Sequence, residues 1–205
     1  MSINLQKGQK INLSKDGGGL KRIMVGLGWD EVRQNGGGFL KNLFSAPQQD
    51  IDCDASVILC GADGKLISND IKSSVVYFGN LRHPSGAIVH QGDNLTGAGE
   101  GDDEQIMVDI KSLPANIYKV IFTVNIYDAN KRGQHFGMIE NAFIRLVDME
   151  KNQEICRFNL SENYNNMTGL VVGEIYRRGN EWKFNAIGQA IREASRLDAL
   201  ISMYR

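Results

Sequence analysis

The sequence predicts a mainly β protein: a two-sheet β-sandwich with a C-terminal α-helix packed on it. Three observations carry this. Most apolar residues recur with period two, the pattern of strands with one face in a core. Short polar turns separate the runs at close spacing. No strand alternates with a helix in βαβ order, which excludes a parallel α/β sheet.

Taken in order, Ile23, Val25 and Leu27 share a face in the run 21–28. In 53–59, Cys53, Ala55, Val57 and Leu59 form a core face. Ala62-Asp63-Gly64-Lys65 is a hairpin turn, because glycine accepts the positive φ such turns require. Ile106, Val108 and Ile110 alternate in the next run. The run 117–128 puts Tyr118, Val120, Phe122, Val124 and Ile126 on one face and Lys119, Thr123 and Asn125 on the other, which predicts a half-buried strand. Alternation recurs at 140–147, 154–160, 170–177 and 181–187, with turns at Glu150-Lys151-Asn152-Gln153 and Arg178-Gly179-Asn180-Glu181. Over 188–204, Ala190, Ala194, Leu197 and Ile201 follow a three/four spacing that Ile191 and Leu200 widen, which predicts the helix. The chain reads as one domain over 1–205, with 31–50 as a flexible glycine-rich insertion.

Composition narrows the function. Apolar residues make up 42% and charged residues 23%, the balance of an ordinary globular chain with enough core to fold without staples. A formal charge of −1 lacks the basic excess of a nucleic-acid binder, so no nucleic acid is expected as a partner. Cys53, Cys60 and Cys156 are too few and too scattered for a disulfide framework or a zinc site, and read as small buried hydrophobes. The N-terminus has no apolar leader and no window approaches a membrane span, so the expected compartment is the cytoplasm. His83, His90 and His135 are scattered among polar residues and read as surface or loop histidines.

The chemistry concentrates in Gly92-Asp93-Asn94-Leu95-Thr96-Gly97-Ala98-Gly99-Glu100-Gly101-Asp102-Asp103-Glu104. Asp93, Glu100, Asp102, Asp103 and Glu104 stand there without a Lys, Arg or His between them. Two carboxylates about 6 Å apart repel by about 3 kcal/mol at an effective dielectric of about 20. Held together by flanking strands, they need protons or a cation. Calcium suits the residue types, since it takes oxygens from carboxylates, amides and carbonyls. Gly97, Gly99 and Gly101 would let the backbone turn its carbonyls inward. The segment is not an EF-hand loop, because Leu95, Gly97 and Ala98 occupy positions where that loop needs ligands and a glycine. It is not a dinucleotide fingerprint, because it enters a strand. A second acidic group, Asp50, Asp52 and Asp54, alternates onto one face at the head of a core strand. Asp52 and Asp54 there are costly unless paired, and could share ions with the loop.

At this segment the chain resembles the TerD family of bacterial tellurite-resistance and general-stress proteins. Other landmarks agree in order: Leu5-Gln6-Lys7-Gly8 with Leu13, Gly26-Leu27-Gly28-Trp29-Asp30, Asp52-Cys53-Asp54-Ala55-Ser56, Val75-Val76-Tyr77-Phe78-Gly79-Asn80, Asn141-Ala142, Gly173-Glu174-Ile175-Tyr176-Arg177 and Trp182-Lys183-Phe184. The resemblance implies a calcium-binding stress-response protein with two Ca2+ per chain and no enzymatic activity. It implies as ligands Asp52, Asp54, Asp93, Asn94, Thr96, Glu100, Asp102, Asp103 and Glu104, with Asn80, Asp30 and Trp29 as weaker candidates. It implies related Ter-type proteins or a membrane-associated complex as partners, at the inner membrane face.

Two other functions are open at this stage. Calcium-dependent lipid binding would need exposed apolar and basic residues beside the ions, where the loop offers only Leu95 and the insertion offers Phe39, Leu40, Leu43 and Phe44. A metal-dependent phosphohydrolase would use paired ions, but the motif has no histidine base.

Overall fold

The computed structural model describes residues 2–14, 19–31, 50–92, 101–160, 162 and 164–205. Among these residues twelve strands form in chain order: β1 (Ile3–Leu5), β2 (Lys10–Asn12), β3 (Arg22–Glu31), β4 (Cys53–Cys60), β5 (Val75–Val76), β6 (Ile88–His90), β7 (Glu104–Asp109), β8 (Lys119–Ile126), β9 (Ile139–Asp148), β10 (Gln153–Asn159), β11 (Gly169–Arg178) and β12 (Glu181–Ile191). Among the described residues three short α-helices join them: α1 (Ile71–Ser74), α2 (Ala129–Arg132) and α3 (Leu197–Ser202).

The strands make two six-stranded sheets. The first has the order β1-β10-β9-β3-β7-β6 and the second β2-β12-β11-β8-β4-β5. The alternating residues named above meet between them. Ile23, Val25, Leu27, Ile106, Val108, Ile144 and Leu146 of the first sheet share one core with Cys53, Ala55, Val57, Leu59, Val120, Phe122 and Val124 of the second. All three cysteines are free and buried. The expected sandwich is therefore present.

Two expectations need correction. The strand read as half-buried, β8, is buried on both faces: Ile121, Thr123 and Asn125 are as enclosed as Val120 and Phe122. Its outer face is covered by a second apolar cluster, in which Ile58, Ile121 and Val171 meet Ala194, Leu200 and Ile201. A covered outer face favours apolar residues at every position, so a strict alternation fades.

The helix expected over 188–204 forms only at Leu197–Ser202. Residues up to Ile191 extend β12, where Gln189, Ala190 and Ile191 pair with Val171, Leu170 and Gly169. Thr168 then ends the strand: its hydroxyl donates to the Arg192 carbonyl at 2.8 Å and accepts the Ala194 N–H at 2.9 Å. Ala190 and Ile191 suit a helical stripe, but the pairing with β11 satisfies their backbone groups first. The shorter helix still packs its apolar side on the sheet, as expected.

Candidate metal centre at the acidic edge of the sandwich

Strands β6 and β7 pair antiparallel, His90 opposite Ile106. The Gln91 N–H donates to the Gln105 carbonyl at 2.9 Å, so the acidic segment is the loop of a β6–β7 hairpin whose ends lie one strand spacing apart. Gly92 and Gly101 bracket it at φ +122° and +111°, a backbone conformation that glycine adopts without strain. Asp93, Asn94, Thr96 and Glu100, with Gly97 and Gly99, lie outside the described residues, as does nearly all of the 31–50 insertion. Asp102, Asp103 and Glu104 are described, and they point in three different directions.

Asp102 lies on the outer face of the first sheet. There β3 carries Gly26, and a Cβ at that position would stand 2.3 Å from the Asp102 carboxyl carbon. The glycine is what admits the carboxylate to the sheet surface. Arg145 of β9 grips it through Nε at 2.7 Å and Nη2 at 2.9 Å. Both Asp102 oxygens are thus engaged by one guanidinium, the strongest fork geometry available to a carboxylate. The guanidinium also reaches Glu154 of β10 at 3.3 Å. This corrects the reading of the segment as acids without a basic partner: Asp102 has one, supplied by another strand.

Asp103 turns to the end of β3. Its backbone N–H donates to the Leu27 carbonyl at 2.8 Å. Its Oδ2 accepts the Trp29 N–H at 2.7 Å. Burial pushes the Asp103 carboxyl up from the ordinary range; the Trp29 N–H opposes this, and the charges of Asp30 and Asp102 add to it. The sequence placed Trp29 and Asp30 together as weaker ligand candidates, and the structure separates their roles. The Trp29 side chain is a core residue whose indole can only donate, so it acts here through its backbone N–H. Asp30 keeps a carboxylate near Asp103 and is held by the Asn141 amide at 2.8 Å. The β3–β9 register shifts between Gly28 and Asp30, and such a shift re-aims side chains at a strand end.

Glu104 points inward, between the sheets, and is 2% exposed. Its Oε2 lies 2.9 Å from His90 Nε2 and accepts the Ala55 N–H at 3.2 Å. His90 Nε2 also lies 3.2 Å from the Ala55 carbonyl, while its Nδ1 accepts the Gly92 N–H at 3.2 Å. With Nδ1 accepting the Gly92 N–H, Nε2 is left to donate toward the Glu104 carboxylate and the Ala55 carbonyl. The reason lies in the sheet. Edge strand β5 is two residues long and pairs only with Val57 and Ile58. Beyond its end, Glu104 and His90 take the N–H and C=O of Ala55 that a longer strand would have paired.

His90 and His83 are therefore not surface residues. His83 is 5% exposed, bonded to Ser85 Oγ at 2.7 Å and to the Ser73 carbonyl at 3.1 Å, and burial lowers its pKa. His135 does sit in a connection, where its Nδ1 accepts the Gly137 N–H. Polar neighbours in the sequence misled the reading of the other two: His90 ends strand β6 with its ring enclosed, and the connection carrying His83 folds under the sheet edge.

On the second sheet, Asp52 lies 3.6 Å from Arg132, and Asp54 accepts from the Asn125 amide at 3.3 Å. The Asn80 amide nitrogen donates to the Val75 and Lys72 carbonyls and ties the tight turn after β5. That turn exposes Phe78 and Leu81, which sequence reasoning missed. Among the described residues no three His, Cys, Asp or Glu side chains converge as a ready metal cluster. Nor is any helix among them long and apolar enough to cross a membrane.

The two-layer sandwich and its acidic hairpin define a protein class that other chains share. Residues 1–204 match the TerD domain, and the chain belongs to that family. It is 50% identical to the stress response protein SCP2 of Bacillus subtilis over 204 residues, covering 100% of both chains. It is 39% identical to the tellurium resistance protein TerD of Serratia marcescens, covering 92% of this chain and 91% of that one. A solved homologue of the telluride resistance protein from Streptomyces coelicolor superposes with a TM-score of 0.57 at 22% identity, over 84% of this chain and 91% of that one. A solved protein of unknown function, SAV2460, superposes at 0.65 with 20% identity over 91% and 98%. These two structures show a shared fold.

Proposed function

We propose that this protein binds calcium, two ions per chain, at the edge built by the β6–β7 hairpin, and that it serves a stress response by sensing, stabilisation or assembly and not by catalysis. The carrying observation is Asp103, whose carboxyl is pinned by the Trp29 N–H beside Asp30 and pushed up by burial and neighbouring charge. A divalent cation reverses that penalty. The donor set is oxygen throughout, which suits a hard cation. The ligands in this reading are Asp30, Asp52, Asp54 and Asp103, with Asp93, Asn94, Thr96 and Glu100 of the loop. Asp102 and Glu104 anchor the hairpin, through Arg145 and through His90 with Ala55. The stress role rests on the names of the relatives, none of which describes an enzyme.

Titration calorimetry with calcium, repeated with magnesium, tests the reading. At about 100 times Kd, calcium should stabilise the fold by about 2.7 kcal/mol per site. At about 2–4 °C per kcal/mol in a chain of this size, the melting point should rise by several degrees. No heat of binding and an unmoved melting point, after full chelation and at millimolar calcium, would overturn it.

A second reading has one observation in its favour. Phe78 and Leu81 are 45% and 42% exposed, with Arg82 beside them. The His90 N–H donates to the Leu81 carbonyl at 2.8 Å, so this apolar turn abuts the hairpin. That is the arrangement expected of calcium-dependent lipid docking. Sedimentation with anionic vesicles should then require calcium and fail in Phe78→Ser; equal sedimentation with and without calcium would remove the reading.

A further inference from the structure

On the outer face of the second sheet, one group of polar side chains is buried. Strands β4 and β8 set Asp54 opposite Asn125 and Ser56 opposite Thr123. All four are buried, Asn125 and Ser56 to 1% exposure and Thr123 completely. The rest of this face, from Ile58 and Ile121 onward, is apolar and covered by α3. Four polar residues here break a pattern that aliphatic side chains would continue.

The hydrogen bonds among them are incomplete. The Asn125 amide nitrogen donates to Asp54 Oδ2 at 3.3 Å, and the Thr123 hydroxyl reaches the Ser56 carbonyl at 3.5 Å. Asn125 Oδ1 and Ser56 Oγ have no hydrogen-bond partner among the described residues. A buried polar atom left so costs free energy unless something else meets it. The atoms that face one another are a carboxylate, an amide and two hydroxyls, with no sulfur or imidazole. Turning the Asn125 amide over brings its oxygen to the side of the Asp54 carboxylate, and the lost hydrogen bond is replaced if a cation sits between the two oxygens.

We propose that Asn125, supported by Ser56, is a further ligand of a calcium ion held by Asp54. This rests on the reading that the protein binds calcium, and it adds to the ion held by Asp54 a ligand that the acidic loop does not contain.

Calorimetry with calcium chloride on the full chain tests it, with Asn125→Ala and Asn125→Asp beside the unmodified protein. Asn125→Ala should lose one equivalent of calcium or weaken its binding at least tenfold. Asn125→Asp sets two carboxylates face to face, so it should melt lower than the unmodified chain in chelator and regain the difference in calcium. Should Asn125→Ala fail to fold, Ser56→Ala gives the same comparison. If the unmodified chain binds calcium and all variants match it in stoichiometry and affinity, the patch holds water and this inference fails alone. If the unmodified chain binds no calcium, the proposed function fails and this inference with it.

Discussion

Arg145 of β9 and Asp102 of the hairpin form a two-bond fork, Nε to Oδ1 at 2.7 Å and Nη2 to Oδ2 at 2.9 Å, across the open face of Gly26. The Asp102 carboxylate is fully enclosed while the guanidinium keeps part of its surface in water. Removing the arginine leaves a buried charge unmatched. Breaking such pairs costs about 3–5 kcal/mol, and the exposed guanidinium edge puts this one at the low end. Arg145→Ala should therefore lower the denaturant midpoint by an amount equivalent to about 3 kcal/mol in chelator, and calcium affinity should fall less than stability does.

Gly26 carries a linked prediction. A methyl group there would overlap the Asp102 carboxyl. Gly26→Ala should cost about 1–3 kcal/mol, as overpacking does. Residues sharing one contact are not additive. In an Asp102→Ala background the same change should cost much less, and equal costs in both backgrounds would show that Gly26 serves another purpose.

His90 and Glu104 stand in for a missing strand. His90→Ala removes a donor from a buried carboxylate and from the Ala55 carbonyl, and leaves a cavity. A loss of about 3 kcal/mol is expected from the unsatisfied groups together with the void. Amide exchange should locate it: the Ala55 N–H should exchange faster, while the β11–β12 pairing keeps its protection.

Asp103 predicts a change of sign. Its folded pKa is raised, so its contribution to stability is complete at low pH and is lost as pH rises through the folded value. Subtracting the melting points of Asp103→Asn from those of the unmodified chain isolates that contribution. In chelator the unmodified chain should lose ground to the variant as pH rises above the ordinary carboxylate range. In calcium the order should reverse at neutral pH, because the ion needs the charge that the amide lacks.

The cysteines should be inert. Burial pushes the thiols of Cys60 and Cys156 up to about 12. Thiolates react and thiols do not. Iodoacetamide at pH 8 should modify neither in the native protein and both in denaturant, which mass spectrometry can count.

The sandwich was legible because strand periodicity is local. Ile23, Val25 and Leu27, or Cys53, Ala55, Val57 and Leu59, declare their inward face through neighbours two residues away. The end of the chain was less legible, since Ala190 and Ile191 fit a helix or a strand equally well. Only the presence of β11 alongside decides between them. At the site, the acids themselves were plain in the sequence. Their partners were not, because Arg145 lies 43 residues from Asp102, and Glu104 lies 49 from the Ala55 N–H it accepts.

By itself, then, the sequence determined the fold class, the family and the acidic loop, all carried by local pattern and residue type. The tertiary structure decided what each carboxylate meets. Asp102 finds an arginine on β9, across the intervening β3, and Glu104 a histidine on the adjacent β6, whereas Asp103 accepts the Trp29 N–H and lies near Asp30. Asn125, given no site role in the sequence, becomes a buried amide whose nitrogen donates to Asp54 and whose oxygen has no hydrogen-bond partner among the described residues. The physical reason is that charge pairing depends on distance in space, and strand pairing brings together residues that the chain holds far apart.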